Sequence, residues 1–452
     1  MFKVHDIVEV EITGLGSTGE GVGKADGFTV FVQGALTGEK VKAKLTTVKK
    51  SYALGRMLQV LKKSEFRQKP VCEVFYKCGG CQLQHMTYAG QLESKRQQVK
   101  DAMGRIGHFK DVPVLPVLGD SQPLNYRNKM QCPIASQDGT KIGFYKTGTH
   151  EVVDIKECHI QAAENNQIIE VIREWVRKYK VSIYNEQTGK GLLRHIIGRV
   201  SADNGEVMAG LVCTQKSLPN KEELIVMLRE RIPNLVSIVQ NINSRRTNVI
   251  MGEHTRVVWG KPTITDKIGG FSFDISANSF FQVNTKQANA LYSKALEFAE
   301  LTGKENVVDL YCGIGTISLF LASKAKQVWG FEIVDVAIEN AKDNAMANKI
   351  SNVEFSCVDV AVGLEKLSKK KKLDVIVLDP PRAGCDKPVL EHIINANPKR
   401  IVYVSCNPAS LARDLRILVD SGKYELVQVQ PVDMFAQTSH VETVVLMSRV
   451  EK

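Results

Sequence analysis

The chain has no run of about 18 apolar residues, so no membrane-spanning helix is expected. Its first residues, Met1-Phe2-Lys3-Val4-His5-Asp6, hold no apolar core and no small-residue cleavage site, so no export signal is expected. No internal repeat of about 20–50 residues stands out. Negative charge is in short supply: 49 Asp and Glu face 60 Lys and Arg, a net charge of +11. The shortfall is local. Residues 1–110 carry 18 basic and 10 acidic side chains, while the other 342 residues net only +3. That asymmetry points the front quarter at a polyanion, nucleic acid first, with a plain solubility charge as the alternative. A content of 43% hydrophobic and 24% charged residues excludes a disordered or fibrous chain. Its 452 residues leave room for two to four domains. Ten cysteines without an export signal point to a reducing cytoplasm, where clustered thiols bind metal or do chemistry rather than pair.

Residues 1–60 alternate with a period of two at Val8, Val10 and Ile12, at Phe28 and Val30, and at Val41, Ala43 and Leu45. Glycines punctuate these runs, which predicts short strands in a small antiparallel barrel. The run Gly19-Glu20-Gly21-Val22-Gly23-Lys24 lacks the Gly-Lys-Ser/Thr ending of a phosphate loop and no helical pattern follows it, so it reads as strand bends. Residues 61–265 hold a basic stretch (Lys62, Lys63, Arg67, Lys69), a cysteine group, and a helix expected from Thr87 with Leu92, Val99, Met103 and Ile106 at helical spacing. Beyond 110 this stretch mixes strand and helix patterns without strong chemistry. From residue 300, strands expected at 306–310, 328–332, 353–358, 374–378 and 401–405 alternate with helices at 316–325, 337–348 and 409–419. That predicts a mostly parallel sheet covered by helices on both faces. The lysine run 369–372 reads as a solvated loop.

The first of these strands ends Val307-Val308-Asp309-Leu310-Tyr311-Cys312-Gly313-Ile314-Gly315-Thr316. A Gly-x-Gly turn there brings backbone close to a ligand at the carboxyl edge of an open α/β sheet. Position 318 is Ser, so the third glycine of a dinucleotide fingerprint is missing, and the second strand ends in Glu332, placed to accept both ribose hydroxyls. Turn and acid fit S-adenosylmethionine better than NAD; glycines serving only strand–helix packing are the alternative. The fourth strand ends Asp379-Pro380-Pro381-Arg382, where prolines stop the strand and a carboxylate reaches the cofactor's reacting end. The fifth ends Ser405-Cys406-Asn407-Pro408. A thiol at that tip is a soft nucleophile, and a helix starting near Ala409 is expected to favour its anion; a small buried apolar cysteine is the alternative. Uracil C5 takes a methyl group only after a nucleophile adds to C6, and its proton must then be removed. That chemistry needs a cysteine, a base and a methyl donor in one place. His440 and Glu442 are the candidate bases, on one face if 441–447 is a strand.

Cys72, Cys78 and Cys81, with Gly79-Gly80 between the last two and Cys158 much later, read as a nest for zinc or an iron–sulfur cluster, between which the spacing does not choose. Cys132, Cys213, Cys312, Cys357 and Cys385 read as unpaired and structural.

On these residues the chain resembles the bacterial RNA uracil-C5 methyltransferase family, which makes 5-methyluridine in ribosomal or transfer RNA. The resemblance runs over nearly the whole chain. It implies an α/β architecture: a class I, Rossmann-like methyltransferase domain at 266–452, a central α+β domain at 61–265 carrying an iron–sulfur cluster and RNA contacts, and an N-terminal OB-like TRAM barrel at 1–60. The barrel is implied by Gly19-Glu20-Gly21-Val22-Gly23 and by Val32-Gln33-Gly34-Ala35-Leu36-Thr37-Gly38-Glu39. The resemblance further implies Cys406 as nucleophile and Glu442 as base. Implied cofactor contacts are Gln282, within Phe280-Phe281-Gln282-Val283-Asn284, and Tyr311, Glu332, Asp379, Asp359 and Thr316. Cys72, Cys78, Cys81 and Cys158 are implied ligands of a [4Fe-4S] cluster. Thr316 stands where some relatives have Asn, and Asp433-Met434-Phe435-Ala436-Gln437-Thr438 departs from the commoner Phe-Pro-x-Thr form. Arg127 and Lys129, in Asn125-Tyr126-Arg127-Asn128-Lys129, are implied RNA contacts, and Phe281 reads as a base-stacking ring or as core. Barrel and cluster together resemble the 23S rRNA branch, so the expected partner is 23S rRNA and the expected state a monomer. The rival readings are a tRNA T-loop uracil-C5 methyltransferase, an RNA cytosine-C5 methyltransferase and a non-catalytic iron–sulfur RNA-binding protein. The cytosine enzyme would want a cysteine where this chain has Arg382, and Cys385 is out of place for it.

Overall fold

The computed structural model describes residues 2–136 and 139–450. The chain forms two compact units: Met1–Val71 with Cys81–Asp120 and Ala290–Lys452, and Cys72–Gly80 with Ser121–Asn289.

The first unit opens with β1 (Ile7–Leu15), β2 (Gly21–Ala25), β3 (Phe28–Gln33), β4 (Lys40–Val48) and β5 (Tyr52–Lys62), closed into a barrel in the order β1-β2-β3-β5-β4. The period-two pattern turns Val8, Val10 and Ile12 of β1 and Val41, Ala43 and Leu45 of β4 inward. Neighbours run antiparallel except β3 and β5, which are parallel. At Gly23 a side chain would lie 2.0 Å from the Glu11 carbonyl oxygen, so glycine alone lets β2 approach β1 this closely.

Next comes α1 (Tyr88–Arg105), capped by Thr87, whose Oγ1 accepts the Gly90 amide at 3.3 Å. It buries Val99, Ala102 and Met103 in the core of the parallel sheet described below. Residues 81–120 therefore pack with that sheet and not within the expected central domain at 61–265, because the partners of the helix's apolar stripe are there.

The second unit is built on β6 (Lys129–Ser136), β7 (Thr140–Tyr145), β8 (Val152–Asp154), α2 (Ala163–Lys178), β9 (Leu193–Val200), β10 (Val207–Cys213), α3 (Lys221–Arg231), β11 (Leu235–Ile242) and β12 (His254–Gly260). Its strands form one sheet ordered β12-β11-β10-β9-β6-β7-β8. A hairpin, β13 (Ile264–Ile268) and β14 (Phe271–Ile275), precedes α4 (Thr285–Ala299).

The chain then enters the first unit's large sheet: β15 (Asn306–Leu310), α5 (Thr316–Ala322), β16 (Gln327–Glu332), α6 (Asp335–Ala347), β17 (Val353–Cys357), α7 (Val360–Ser368), β18 (Val375–Leu378), α8 (Lys387–Ala396), β19 (Arg400–Ser405), α9 (Pro408–Asp420), β20 (Tyr424–Val432) and β21 (Glu442–Arg449). The order is β17-β16-β15-β18-β19-β21-β20. The first five are parallel, and β21 runs antiparallel between β19 and β20. The order reverses between β15 and β18, which opens a crevice at their carboxyl ends. Residues 114 and 118 pair with Val429 and Val432, covering the β20 edge. Together the barrel and this Rossmann-like sheet give the expected fold class. Among the described residues no helix is long and apolar enough to cross a membrane.

Candidate functional site

The crevice of the large sheet gathers Tyr311, Thr316, Glu332, Asp379, Cys406 and Glu442. β15 ends at Leu310, and the next residue, Tyr311, is held in left-handed backbone (φ 64°), followed by Gly313 (φ 54°) and Gly315 (φ 81°). At Gly315 a side chain would press within 2.8 Å of the Phe355 ring; over Gly313 there is open space. Glu332, at the end of β16, accepts the Gly313 amide at 3.3 Å and the amides of Ile333 and Val334 at 2.8 and 3.0 Å. Beneath the turn, buried Asp309 accepts the Ser318 hydroxyl at 2.5 Å, and its Oδ1 has no partner. Burial pushes this carboxyl up to about 7 against that hydrogen bond, with the charges of Asp379 and Glu332 adding. An open glycine turn, an acid at the next strand tip and an orphaned buried oxygen fit a nucleoside-bearing cofactor. Thr316 is buried at the start of α5, while Asp359 is exposed and caps α7 through the Val362 amide at 3.1 Å.

Tyr311 is braced from below. Burial, and then the neighbouring Cys385 thiol, drive its hydroxyl well above the usual tyrosine range. The Cys385 sulfur in turn lies 3.6 Å from the Tyr403 hydroxyl, and Asp414 accepts that hydroxyl's proton at 2.7 Å and the Cys385 amide at 2.8 Å. Cys385 is thus a link in a buried polar chain, a use its sequence position did not announce.

Cys406 and Glu442 meet through strand register. β19 and β21 pair with Ser405 opposite Thr443, so one step further brings the thiol and the carboxyl to the same tip. Glu442 is 6% exposed. Burial pushes it up to about 8, Asp379 adds to the rise, and Arg382 opposes it. Burial also raises Asp379 to about 7. The Cys406 thiol is pushed up to about 11 by burial, then by Glu442 and Asp379, against Arg382. This corrects the expectation that α9 favours the thiolate. The Asn407 side chain takes the Ala409 amide at 3.1 Å and Pro408 has no amide proton, so burial and the neighbouring acids decide. A proton-holding carboxyl beside a half-buried thiol suits nucleophilic addition followed by proton transfer. β21 begins only at Glu442, so His440 lies outside the strand that was expected to put the two on one face. His440 is exposed, with its Nδ1 2.9 Å from Arg382 Nη2.

In the second unit, Gln282 lies in a segment held by Asn128. The Asn128 side-chain amide donates to the Gln282 carbonyl and the Thr285 hydroxyl, each at 2.9 Å, and its backbone amide donates to the Val283 carbonyl at 2.9 Å. Asn128 was not singled out in the sequence, although it sits within the segment that supplied Arg127 and Lys129. Phe281 is 3% exposed and packs on Phe273 with ring centroids 5.8 Å apart. Its stacking reading gives way to the core reading, and Phe280, 69% exposed, is the available ring. Lys129 stands opposite Arg199 on β9; burial, then Arg199 and Arg127, pull it down to about 8.

Cys72, Cys78 and Cys158 also belong to the second unit and lie within electrostatic reach of one another. Burial raises Cys78, with Cys72 adding, and raises Cys158 to about 11, with Cys78 and Cys72 adding. Cys81 belongs to the first unit, where Gln84 donates to its sulfur at 3.4 Å. Among the described residues no group of three or more His, Cys, Asp or Glu side chains is arranged to hold a metal ion.

Comparison with known proteins bears on this geometry. The family described as tRNA (Uracil-5-)-methyltransferase matches residues 87–450, and the TRAM domain family matches residues 2–58. An uncharacterized RNA methyltransferase of Clostridium tetani is 50% identical over 448 residues, covering 99% of this chain and 97% of that protein. One from Bacillus cereus is 48% identical over 450 residues, covering 99% and 98%. The crystal structure of the Pyrococcus abyssi tRNA (uracil-54, C5)-methyltransferase in complex with S-adenosyl-L-homocysteine superposes with a TM-score of 0.77 at 28% identity, covering 97% of this chain and all of that one. With a nucleoside-cofactor crevice, a thiol–carboxyl pair at its rim and a family match over most of its length, the chain belongs to the S-adenosylmethionine-dependent RNA uracil-5-methyltransferases.

Proposed function

We propose that the protein methylates C5 of uridine in 23S rRNA, with Cys406 as nucleophile and Glu442 as base. The observation that carries this reading is the pairing of the Cys406 thiol with a buried Glu442 carboxyl poised near 8. S-adenosylmethionine supplies the electrophilic methyl group when bound. Cys406 adds to C6 and makes C5 nucleophilic; Glu442 later takes the C5 proton, which lets the sulfur leave. Tyr311, Glu332, Asp359, Asp379, Thr316 and Gln282 are read as cofactor contacts. Arg127, Lys129 and the exposed Phe280 ring are read as RNA contacts, meeting a base that has left its stack. The [4Fe-4S] reading of Cys72, Cys78, Cys81 and Cys158 rests on the resemblance of their spacing and on the closeness of three of the thiols.

Transfer RNA is the second candidate substrate, favoured by the name of the Pyrococcus abyssi relative. Mapping 5-methyluridine in total RNA from a deletion strain separates the two. Loss from 23S rRNA is expected; loss confined to tRNA would transfer the assignment, and no loss would end it. Iron analysis of anaerobically purified protein is expected to find iron and sulfide, and zinc without iron would sink the cluster.

A further inference from the structure

Three polar side chains on the buried face of α1 take no part in the chemistry above. Tyr88, Gln91 and Lys95 follow one another at helical spacings of three and four, which makes one stripe. The stripe meets residues 433–437, the start of the connection between β20 and β21. Lys95 is 1% exposed; its ammonium lies 2.5 Å from Asp433 Oδ1 and donates to the Phe435 carbonyl at 3.0 Å. The Tyr88 hydroxyl donates to Asp433 Oδ2 at 2.7 Å and accepts the Asp120 amide at 2.8 Å. Gln91 donates to Gln437 Oε1 at 3.0 Å and accepts the Gln437 amide at 2.9 Å. Gln437 is held in left-handed backbone at φ 69°, a conformation a non-glycine residue keeps only when its surroundings impose it.

Asp433 directly follows Val432, and Val432 is the register partner of Glu442. The stripe therefore grips the chain next to the carboxyl that meets Cys406. Two buried charges are a poor choice for stability alone, since an apolar pair of similar size serves as well or better; holding one arrangement is their best-attested use.

We propose that Tyr88, Gln91 and Lys95 are positioning residues that hold Glu442 against Cys406 for the proton-removal half of the reaction. The inference rests on the uridine-methylation reading. In that half, Glu442 takes the C5 proton, the C–H electron pair restores the C5–C6 double bond, and the C6–sulfur bond breaks to release Cys406.

The test uses full-length protein, S-adenosylmethionine and two RNAs, one with uridine and one with 5-fluorouridine at the target. Fluorine does not leave as a cation, so the second RNA reports addition and methylation but not proton removal. Lys95→Met and Gln91→Met are each expected to cut turnover on the uridine RNA by about 100-fold, the cost of a misplacement near 1 Å. A denaturant-resistant Cys406–RNA adduct accumulates on the uridine RNA, while the rate of fluorouridine adduct formation stays within about twofold of the parent's. Unchanged turnover, or equal losses on both RNAs with S-adenosylmethionine affinity intact, would overturn the proposal. If the parent protein forms no fluorouridine adduct, the uridine reading itself fails instead. If Lys95→Met does not fold, the charge-free double variant Lys95→Met/Asp433→Leu carries the same comparison.

Discussion

At neutral pH both members of the Cys406–Glu442 pair hold their protons in the free protein, with the carboxyl releasing first, near 8. A base works deprotonated, so activity is expected to rise from pH 7 to 9, read as kcat/KM against pH. Asp379→Asn removes a like charge that helps keep Glu442 protonated, and should move that rise to lower pH. Glu442→Gln should lower kcat by about 100-fold or more while S-adenosylmethionine affinity, measured by calorimetry, holds. The raised carboxyls have a second effect. Folded Glu442 keeps its proton up to about 8, whereas an unfolded glutamate releases it near 4.5, so stability falls as pH rises through that window. Asp309 and Asp379, raised to about 7, act in the same direction. Melting temperature should therefore be lower at pH 8 than at pH 6, and Asp309→Asn should flatten the slope. Glu442 came forward over His440 only through the family resemblance, whereas Cys406 was legible as a candidate because strand tips carry ligands. The contrast between Phe281 and its exposed neighbour Phe280 was not, since two adjacent rings offer no alternation to tell inside from outside.

Among the elements, α1 shows what spacing discloses and what it conceals. Its start at Thr87 and its buried Val99 and Met103 follow from a cap and a helical stripe. Its partners do not, because periodicity says which face is buried and nothing about what buries it. Nothing in the spacing of Tyr88, Gln91 and Lys95 singles them out until Asp433 and Gln437, distant in sequence, are brought to them. Because Met103 sits in the core of the parallel sheet, Met103→Ala should cost about 2–5 kcal/mol and loosen β15 and β19, more than 200 residues away in sequence. Amide exchange in those strands checks it. The helices α7 and α8, of nine and ten residues, were not singled out in the sequence.

Across the whole molecule, the front-loaded charge acquires an address. The side chains of Lys42 and Lys44 on β4 and Arg56 on β5 point out of the barrel, with Lys44 opposite Arg56. Beside them Phe31 and Tyr52 meet edge to face, 5.6 Å apart, on the neighbouring pair β3 and β5. Cations beside aromatic rings are what a single RNA strand binds. Replacing Lys42, Lys44 and Arg56 with Gln should weaken RNA binding and reduce the salt slope by about 2, while S-adenosylmethionine affinity stays put. A slope that did not change would return these charges to solubility. The barrel and the alternation of the large sheet were legible because period-two and strand–helix patterns are local. The division of the chain was not: segments 81–120 and 290–452 join one unit across an intervening one.

The last strand bears on how the protein is made. β20 leaves the translating machinery before β21, yet β21 lies between it and β19. Until residues 442–449 arrive, β19 has an unpaired edge and β20 lacks its neighbour in the sheet, so the nascent chain holds its nucleophile strand exposed until then. Closing the sheet and seating Glu442 beside Cys406 are then a single late event, and a chain caught before it carries the thiol without its base.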